Sequence, residues 1–230
     1  MKRFHKDINF MTYLFCAYRD WALELYKKLS KKYRNVVLIR SPKQLKIQNV
    51  KKINPKFIFF PDWSWIVPTE IVNNFTCICF HESNLPKFRG GSPLQNQIIR
   101  GIKSTKTTAF QMTDELDKGD ILLQHNLSLE GSLEEIFDRM IKNDYAMITK
   151  IVNGKYKKRK QKGHPTYYAR RKHSQSELKN LNFSKQYLYD FIRMLEDPYP
   201  NAFLKSDKKR IVFKSVKYDG KHLKFEGEII

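Results

Sequence analysis

The sequence predicts an α/β fold, a mostly parallel sheet with helices on both faces, followed by a small C-terminal β-rich subdomain. Three observations predict it. Short apolar runs alternate with segments whose apolar residues recur at helical spacing, which argues for strand–helix–strand crossovers. The alternation holds from Met11 to about Val152. Beyond Gly154 the composition shifts to a basic stretch, one helix and short strands. That order is Rossmann-like, and it divides the chain into residues 1–153 and residues 154–230.

Each element has a local reason. Met11–Ala17 (MTYLFCA) is an apolar run and the first strand. Asp20 precedes Trp21–Leu29, whose apolar residues fall at helical spacing. Val36–Ile39 is a short β-branched strand, Pro42–Ile53 a weaker helix and Lys56–Phe60 a further strand. Pro68 suits the first turn of a short helix through Val72, where its missing N–H costs nothing. Thr76–Phe80 (TCICF) is the fourth strand. Ser92-Pro93 opens a helix through Ile99 that Gly101 closes, and Thr107–Met112 and Ile121–Gln124 read as strands. Ser132-Leu133-Glu134-Glu135 is a capping box, starting a helix that runs to about Val152. After the basic stretch come a helix over Ser184–Leu195, the turn Pro198-Tyr199-Pro200, and strands at Ala202–Leu204, Arg210–Val216 and Leu223–Phe225.

The 230 residues are 41% hydrophobic and 13% aromatic, which supports a real core and argues against disorder. Lys+Arg is 44 against 23 Asp+Glu, a formal net charge of +21, and such a surplus favours anionic partners. Nine Lys/Arg and no acid lie between Lys155 and His173, a run read as a solvated basic surface. No apolar run approaches a membrane span. The charged Met1–Asp7 and the stretch Ile8–Tyr18, without a small-residue cleavage site, do not read as a signal peptide. Cys16, Cys77 and Cys79 lie in strand-like runs and fit buried small hydrophobes better than a disulfide scaffold or a zinc cluster. A reducing, cytoplasmic setting and a metal-free site are therefore expected.

The chemistry concentrates between Phe80 and Leu122. His81 stands at the carboxyl end of a predicted parallel strand, where open α/β sheets place ligands. Asn84, Pro86, Gly90, Gly91 and Pro93 force an irregular loop after it, and the following helix is expected to turn its N–H groups toward an anion or polarised oxygen. A second loop, Thr113–Asp120, carries four acids in eight residues. If the two strand ends meet, a carboxylate reaches His81, orients its ring and favours its protonated form, as attack on a carbonyl requires.

The segment HESNLPKFRGGSP, with ELDKGDIL beyond it, resembles the formyltransferases that use 10-formyltetrahydrofolate. That family has a His followed by Ser-Leu-Leu-Pro and then Arg-Gly; Ser83-Asn84-Leu85-Pro86 and Arg89-Gly90 stand in those places. Its catalytic Asp lies in a Leu-Asp-x-Gly turn, which Leu116-Asp117-Lys118-Gly119 matches. The resemblance implies His81 and Asp117 as catalytic residues and residues 1–153 as the formyltransferase catalytic domain. One departure is plain. The family has Asn two residues before the His, and Cys79 stands there, a thiol that donates weakly. Asn96 is the candidate to supply the missing carboxamide.

The resemblance also implies a pterin slot in the loop Phe59–Pro68. Trp63, Ser64, Trp65 and Ile66 line it, and Asp114 and Leu116 close its other edge, binding 10-formyltetrahydrofolate as formyl donor. Lys87, Arg89 and Gln95 are placed to meet substrate phosphate or hydroxyls. Tyr167-Tyr168-Ala169-Arg170-Arg171 and Pro198-Tyr199-Pro200-Asn201-Ala202-Phe203 resemble sugar N-formyltransferases. The implied acceptor is a nucleotide-linked amino sugar, for surface polysaccharide or glycan biosynthesis. The alternatives are a methionyl-tRNA formyltransferase, whose longer tRNA-gripping C-terminal domain this chain is expected to be too short to hold, and a non-catalytic basic RNA-binding relative. Nucleic acid is thus an unfavoured but open partner, and membrane insertion is not expected.

Overall fold

The computed structural model describes residues 11–230; the charged N-terminus and the start of the Ile8–Tyr18 run lie outside the described residues. The first half comprises β1 (Tyr13–Ala17), α1 (Asp20–Lys32), β2 (Val36–Ile39), α2 (Ile47–Ile53), β3 (Phe57–Asp62), α3 (Thr69–Asn74) and β4 (Cys77–His81). It continues through β5 (Arg89–Gly90), α4 (Pro93–Ile98), β6 (Ser104–Gln111), β7 (Ile121–Ser128) and α5 (Leu133–Val152). The remainder holds β8 (Tyr167–Tyr168), β9 (Glu177–Leu178), α6 (Lys185–Arg193), β10 (Phe203–Ser206), β11 (Lys209–Tyr218) and β12 (Leu223–Ile229).

The main sheet has the order β2-β1-β3-β4-β6-β7. Its first four strands pair in parallel, and β6 and β7 are antiparallel additions. The strands distribute their side chains between two faces with period two. Tyr13, Phe15, Phe57, Phe59, Ile78 and Phe80 meet α1 and α5 through Trp21, Leu25, Leu29, Phe137, Met140 and Met147. Leu14, Cys16, Ile58, Phe60 and Cys77 meet α2 and α3 through Val50, Ile71 and Val72. All five residues of β1 are buried, as a central strand covered on both faces requires, and each large one contributes about 2 kcal/mol by leaving water.

Several elements differ in extent from the sequence reading. Helix α2 starts at Ile47, because Lys46 is extended and the residues before it turn on themselves. Helix α3 begins after Pro68 and runs on to Asn74. The β6–β7 pairing carries both strands outward to Ser104 and Ser128. The capping box is present: Ser132 Oγ accepts from the Glu135 N–H, and Glu135 Oε2 accepts from the Ser132 N–H at 2.8 Å.

The basic stretch keeps exposed lysine side chains, but its backbone is part of the fold, which corrects the picture of a merely solvated surface. Arg159 bridges Ile121, and β8 pairs with β5. The C-terminal sheet has the order β12-β11-β10-β9. Leu188, Phe191, Ile192 and Leu195 enter the core shared with α1 and α5. Arg193 pairs with Asp190 at 2.7 Å and donates to the Leu129 and Gly131 carbonyls at 2.6 and 3.0 Å, fastening α6 to the start of α5.

Candidate active site

Strands β1, β3 and β4 end at one edge of the sheet, and their carboxyl ends deliver Arg19, Asp62 and His81 to a cleft of about 400 Å³. Arg19 and Asp62 form an ion pair in its floor. The loop after β4 is clamped. Ser83 Oγ donates to the Lys87 carbonyl at 2.7 Å, Thr108 Oγ1 to the Ser83 carbonyl at 2.6 Å, and Gln97 Nε2 to the Glu82 carbonyl at 2.6 Å. The connector closes it from the other side, where Thr166 Oγ1 accepts from the Phe88 N–H at 2.8 Å. Gly91 is required here, since a Cβ would collide with the backbone of Arg170.

His81 is buried in the cleft wall. Its Nε2 lies 2.7 Å from the Phe88 carbonyl oxygen, which can only accept, so Nε2 carries a hydrogen. Its Nδ1 faces Asp117 Oδ2 at 3.9 Å. The route to this meeting differs from two strand ends meeting side by side. Strand β6 is antiparallel to β4, so the acidic loop leaves beside Cys77 and folds back to reach His81. Asp117 takes a left-handed conformation with φ +52°, which Asp tolerates better than most residues, and its Oδ2 accepts the Gly90 N–H at 2.8 Å. Gln161 Nε2 donates to the Asp117 and Gly119 carbonyls at 2.8 and 2.9 Å.

The expected site residues divide by position. His81, Asp117, Gln95, Trp63, Ser64, Trp65, Ile66, Asp114 and Leu116 all line the cleft. Asn96 does not. Its amide donates to the Gly91 carbonyl at 3.0 Å on the far side of α4, which argues against it as the missing carboxamide. Arg89 is buried away from the cleft, its guanidinium spent on Gln161 Oε1 at 2.6 Å and the Tyr167 hydroxyl at 2.7 Å. Lys87 is exposed and lies outside the cleft lining. Helix α4 spans six residues and begins at Pro93, which has no N–H, so its first turn offers one donor fewer than a start without proline.

The slot beside His81 suits a flat heterocycle. Trp63 and Trp65 meet edge to face with centroids 5.0 Å apart, and Ile66 is 86% exposed, an apolar side chain without a protein neighbour to cover it. Trp63 Nε1 is buried and has no hydrogen-bond partner among the described residues, a donor beside apolar side chains. The residues present therefore fit a pterin-like ring with apolar faces and polar edges. Ser64 Oγ bridges the Tyr18 hydroxyl at 2.7 Å and Arg170 Nη1 at 3.1 Å, fixing the slot to the connector. Burial holds the Cys79 thiol well above its ordinary pKa, so Cys79 is a neutral wall residue.

Several residues at the site escaped the sequence reading. Glu82 lines the cleft next to His81, and burial pushes its carboxyl up to about 7, against the opposing effect of His81. Tyr199 joins the same wall, pushed up to about 12 by burial. Arg170 and Gln161 come from the basic stretch. The signals available were the position of Glu82 directly after His81 and the Tyr-x-Arg-Arg segment, to which no role was assigned.

Known proteins resemble this chain along most of its length. The formyl transferase family matches residues 29–152, more than half of the chain. The chain belongs to the formyl transferase family. Residues 173–230 match the C-terminal domain of methionyl-tRNA formyltransferase, which corrects the expectation that the chain is too short for one. A methionyl-tRNA formyltransferase of Clostridium novyi (strain NT) is 30% identical over 207 residues, 86% of this chain and 66% of the relative. The chain spans between 41% and 66% of the length of the curated relatives it matches. A solved methionyl-tRNA formyltransferase from Clostridium thermocellum is 40% identical with TM-score 0.91, covering 96% of this chain and 99% of that one. The fold is shared with HypX from Aquifex aeolicus, solved in complex with tetrahydrofolic acid, at 17% identity and TM-score 0.75, over 90% of this chain and 38% of HypX.

These relatives overturn the expected acceptor. Proteins 30–40% identical to this chain carry the name methionyl-tRNA formyltransferase, so a nucleotide-linked amino sugar is no longer the reading. The resemblance of Tyr167–Arg171 and Pro198–Phe203 to sugar enzymes misled because those segments are structural here. Tyr167 and Tyr168 pair with β5, and Arg170 and Tyr199 contribute to the cleft lining.

Proposed function

We propose that this chain transfers the formyl group of 10-formyltetrahydrofolate to the amino group of methionyl-tRNA. The observation that carries the reading is His81 held 3.9 Å from Asp117 in the wall of a cleft with an aromatic slot beside it. The folate supplies an activated formyl carbon when bound. Trp63, Trp65, Ile66 and Leu116 would hold its ring by apolar contact, with Trp63 Nε1 as an edge donor. His81 stands to donate a hydrogen bond to the formyl oxygen as negative charge develops there, and one such donor is typically worth about 3 kcal/mol. Asp117 orients the ring and compensates its charge.

The basic connector supports an RNA-linked acceptor. Lys155, Lys157, Lys158, Lys160 and Lys162 are exposed on a backbone that is itself pinned to the sheet, so their charge stands at a fixed place near the cleft. Phosphate contacts of this kind position an RNA without reading its sequence and weaken steeply with salt. We place the reaction in the cytoplasm, where Cys16, Cys77 and Cys79 remain free thiols. Among the described residues, no helix is long and apolar enough to cross a membrane.

The test is formyl transfer from 10-formyltetrahydrofolate to methionyl-tRNA, with donor binding followed separately by tryptophan fluorescence. The reading expects saturable donor binding, formylation of the charged tRNA, and loss of transfer in His81→Ala with donor binding kept. Absence of donor binding, or full turnover in His81→Ala, defeats it.

A further inference from the structure

A primary amine attacks only as the neutral base, yet an α-amino group in water is largely protonated below about pH 7.7. Formyl transfer therefore needs an acceptor for the ammonium proton near the reacting centre. His81 is ill placed for it, since Nε2 is committed to the Phe88 carbonyl and Nδ1, 3.9 Å from Asp117 and so not hydrogen-bonded to it, must carry the hydrogen that it donates to the formyl oxygen.

Among the described residues, Glu82 and the exposed Asp114 are the cleft carboxylates without a side-chain partner, and Glu82 is the one beside His81. It follows His81 directly and lines the same cleft, and among the described residues its carboxylate forms no ion pair and no hydrogen bond to another side chain. The nearby cation, Arg19, is taken by Asp62 through two contacts, one to the carboxylate from its guanidinium and one from its backbone N–H at 3.1 Å. The groups that face Glu82 are His81 and Cys79 on β4, Asp62 at the end of β3, Arg19 after β1, Asp144 on α5 and Tyr199 beyond α6. A second feature marks the same wall as a binding surface: Gln95 is 4% exposed and lines the cleft, and its Nε2, beside the Tyr199 hydroxyl, makes no hydrogen bond of good geometry among the described residues. An unpaired carboxylate acceptor and an unpaired amide donor in one wall match an ammonium group followed by a carbonyl, the two polar groups of an aminoacyl ester.

We propose that Glu82 is a second acid–base residue of this site, which binds the acceptor's ammonium group and removes its proton, while Gln95 donates to the neighbouring carbonyl. The proposal rests on the formyl-transfer reading. One N–H bond of the ammonium breaks and its proton passes to a Glu82 oxygen, leaving the nitrogen lone pair free to form the new N–C bond. Once the N–C bond has formed, the attacking nitrogen still carries two hydrogens; it gives one as a proton to the donor's departing nitrogen as that nitrogen's bond to the formyl carbon breaks, and Glu82 releases the first proton to solvent and ends the turnover ionised.

The experiment follows formylation of methionyl-tRNA from pH 5.5 to 9 in wild type, Glu82→Gln and Glu82→Asp, with donor binding measured by fluorescence. The carboxyl of Glu82 is titrated in the free enzyme by carbon NMR of labelled glutamate, with Glu82→Gln assigning the resonance. The expected result is a wild-type rate that rises with pH through a midpoint near 7, the carboxyl value of Glu82. Glu82→Gln is expected to lose that limb and about 10²-fold in kcat/KM with donor affinity unchanged, and Glu82→Asp to recover about tenfold. A Glu82→Gln enzyme that binds donor and keeps the wild-type rate and pH limb overturns the proposal. So does a Glu82 carboxyl titrating at its ordinary value in the wild type, an outcome that stands whether or not the variants fold. Failure of the wild type to formylate methionyl-tRNA, with a Glu82 carboxyl that still titrates near 7, counts against the acceptor reading instead.

Discussion

Gln161 holds Asp117 from outside the cleft: its Nε2 donates to the Asp117 carbonyl at 2.8 Å, and the same side chain accepts from the buried Arg89 through Oε1 at 2.6 Å. The carboxylate that faces His81 is thereby set by a chain of polar contacts running from the loop after β4 through the connector. None of Gln161, Arg89 and Tyr167 lines the cleft. Gln161→Ala is expected to leave donor affinity unchanged while lowering kcat about tenfold, because Asp117 loses its register with His81. It also strands the Arg89 guanidinium, so urea denaturation should show a loss of about 2 kcal/mol. Gln161→Glu keeps an acceptor for Arg89 but not the amide donor, and should recover stability more than kcat.

Asp117 itself separates charge from geometry. Asp117→Asn preserves the left-handed turn and an acceptor for the Gly90 N–H, which now meets a carboxamide oxygen. Only the negative charge opposite His81 Nδ1 disappears. Single-turnover rates should fall about 10²-fold with thermal stability within about 1 kcal/mol of wild type. A rate within threefold of wild type would mean that the 3.9 Å pair plays no part in the chemistry.

What could be read in the sequence follows from how local each feature is. Strands β1, β3 and β4 were legible because strands covered on both faces are continuous apolar runs, as YLFCA and CICFH show. The pairing of His81 with Asp117 was legible because His81 ends a strand ahead of a distinctive loop and Asp117 sits in a distinctive turn. The direction of β6 was not, since an apolar run does not encode whether it pairs parallel or antiparallel. Gln95 and Asn96 show the finest limit. Adjacent helical residues point about 100° apart, so neighbours in sequence face the cleft and the connector respectively. The Arg89–Gln161 contact joins residues 72 apart and carries no local signal at all. The acceptor was misread because segments that close the cleft structurally resembled those of another branch of the family.

Trp63 offers a test of the slot that is independent of turnover. Its indole N–H is buried and unpartnered among the described residues, while its ring packs on Phe60 and Trp65. Trp63→Phe keeps an aromatic ring and removes the donor. Binding of 10-formyltetrahydrofolate by calorimetry should weaken about tenfold, and unfolding stability should change by less than about 1 kcal/mol. Unaltered affinity would place the ring's polar edge elsewhere.

Gly119 guards the same turn by its size. A Cβ there would run into the Gln111 carbonyl oxygen and press on the Phe110 ring. Gly119 therefore lets the acidic loop double back closely enough for Asp117 to reach His81. Gly119→Ala forces the turn off β6 and should cost about 3 kcal/mol in chemical denaturation, together with a loss of kcat larger than that of Gln161→Ala. An active, fully stable Gly119→Ala protein would show that the turn has another way to close.

Asp144 sets the pH dependence of stability. It lies on the core face of α5, is 0% exposed, and neither carboxylate oxygen has a hydrogen-bond partner among the described residues. Burial drives its carboxyl well above the ordinary range, and Glu82 pushes in the same direction. The sign follows from proton counting. Between the unfolded value near 4 and the higher folded value, the native state keeps a proton that the unfolded chain releases, so stability falls as pH rises through that window. Asp144→Asn cannot ionise in either state and escapes the penalty. Its stability relative to wild type should therefore improve by roughly 1 kcal/mol for each pH unit above about 5, since one titrating group sets a ceiling of about 1.4 kcal/mol per unit. Urea denaturation at pH 5, 6, 7 and 8 measures the difference directly. A constant offset between the two proteins across that range would mean that Asp144 stays ionised in the core, held by a partner that the packing of α5 does not reveal.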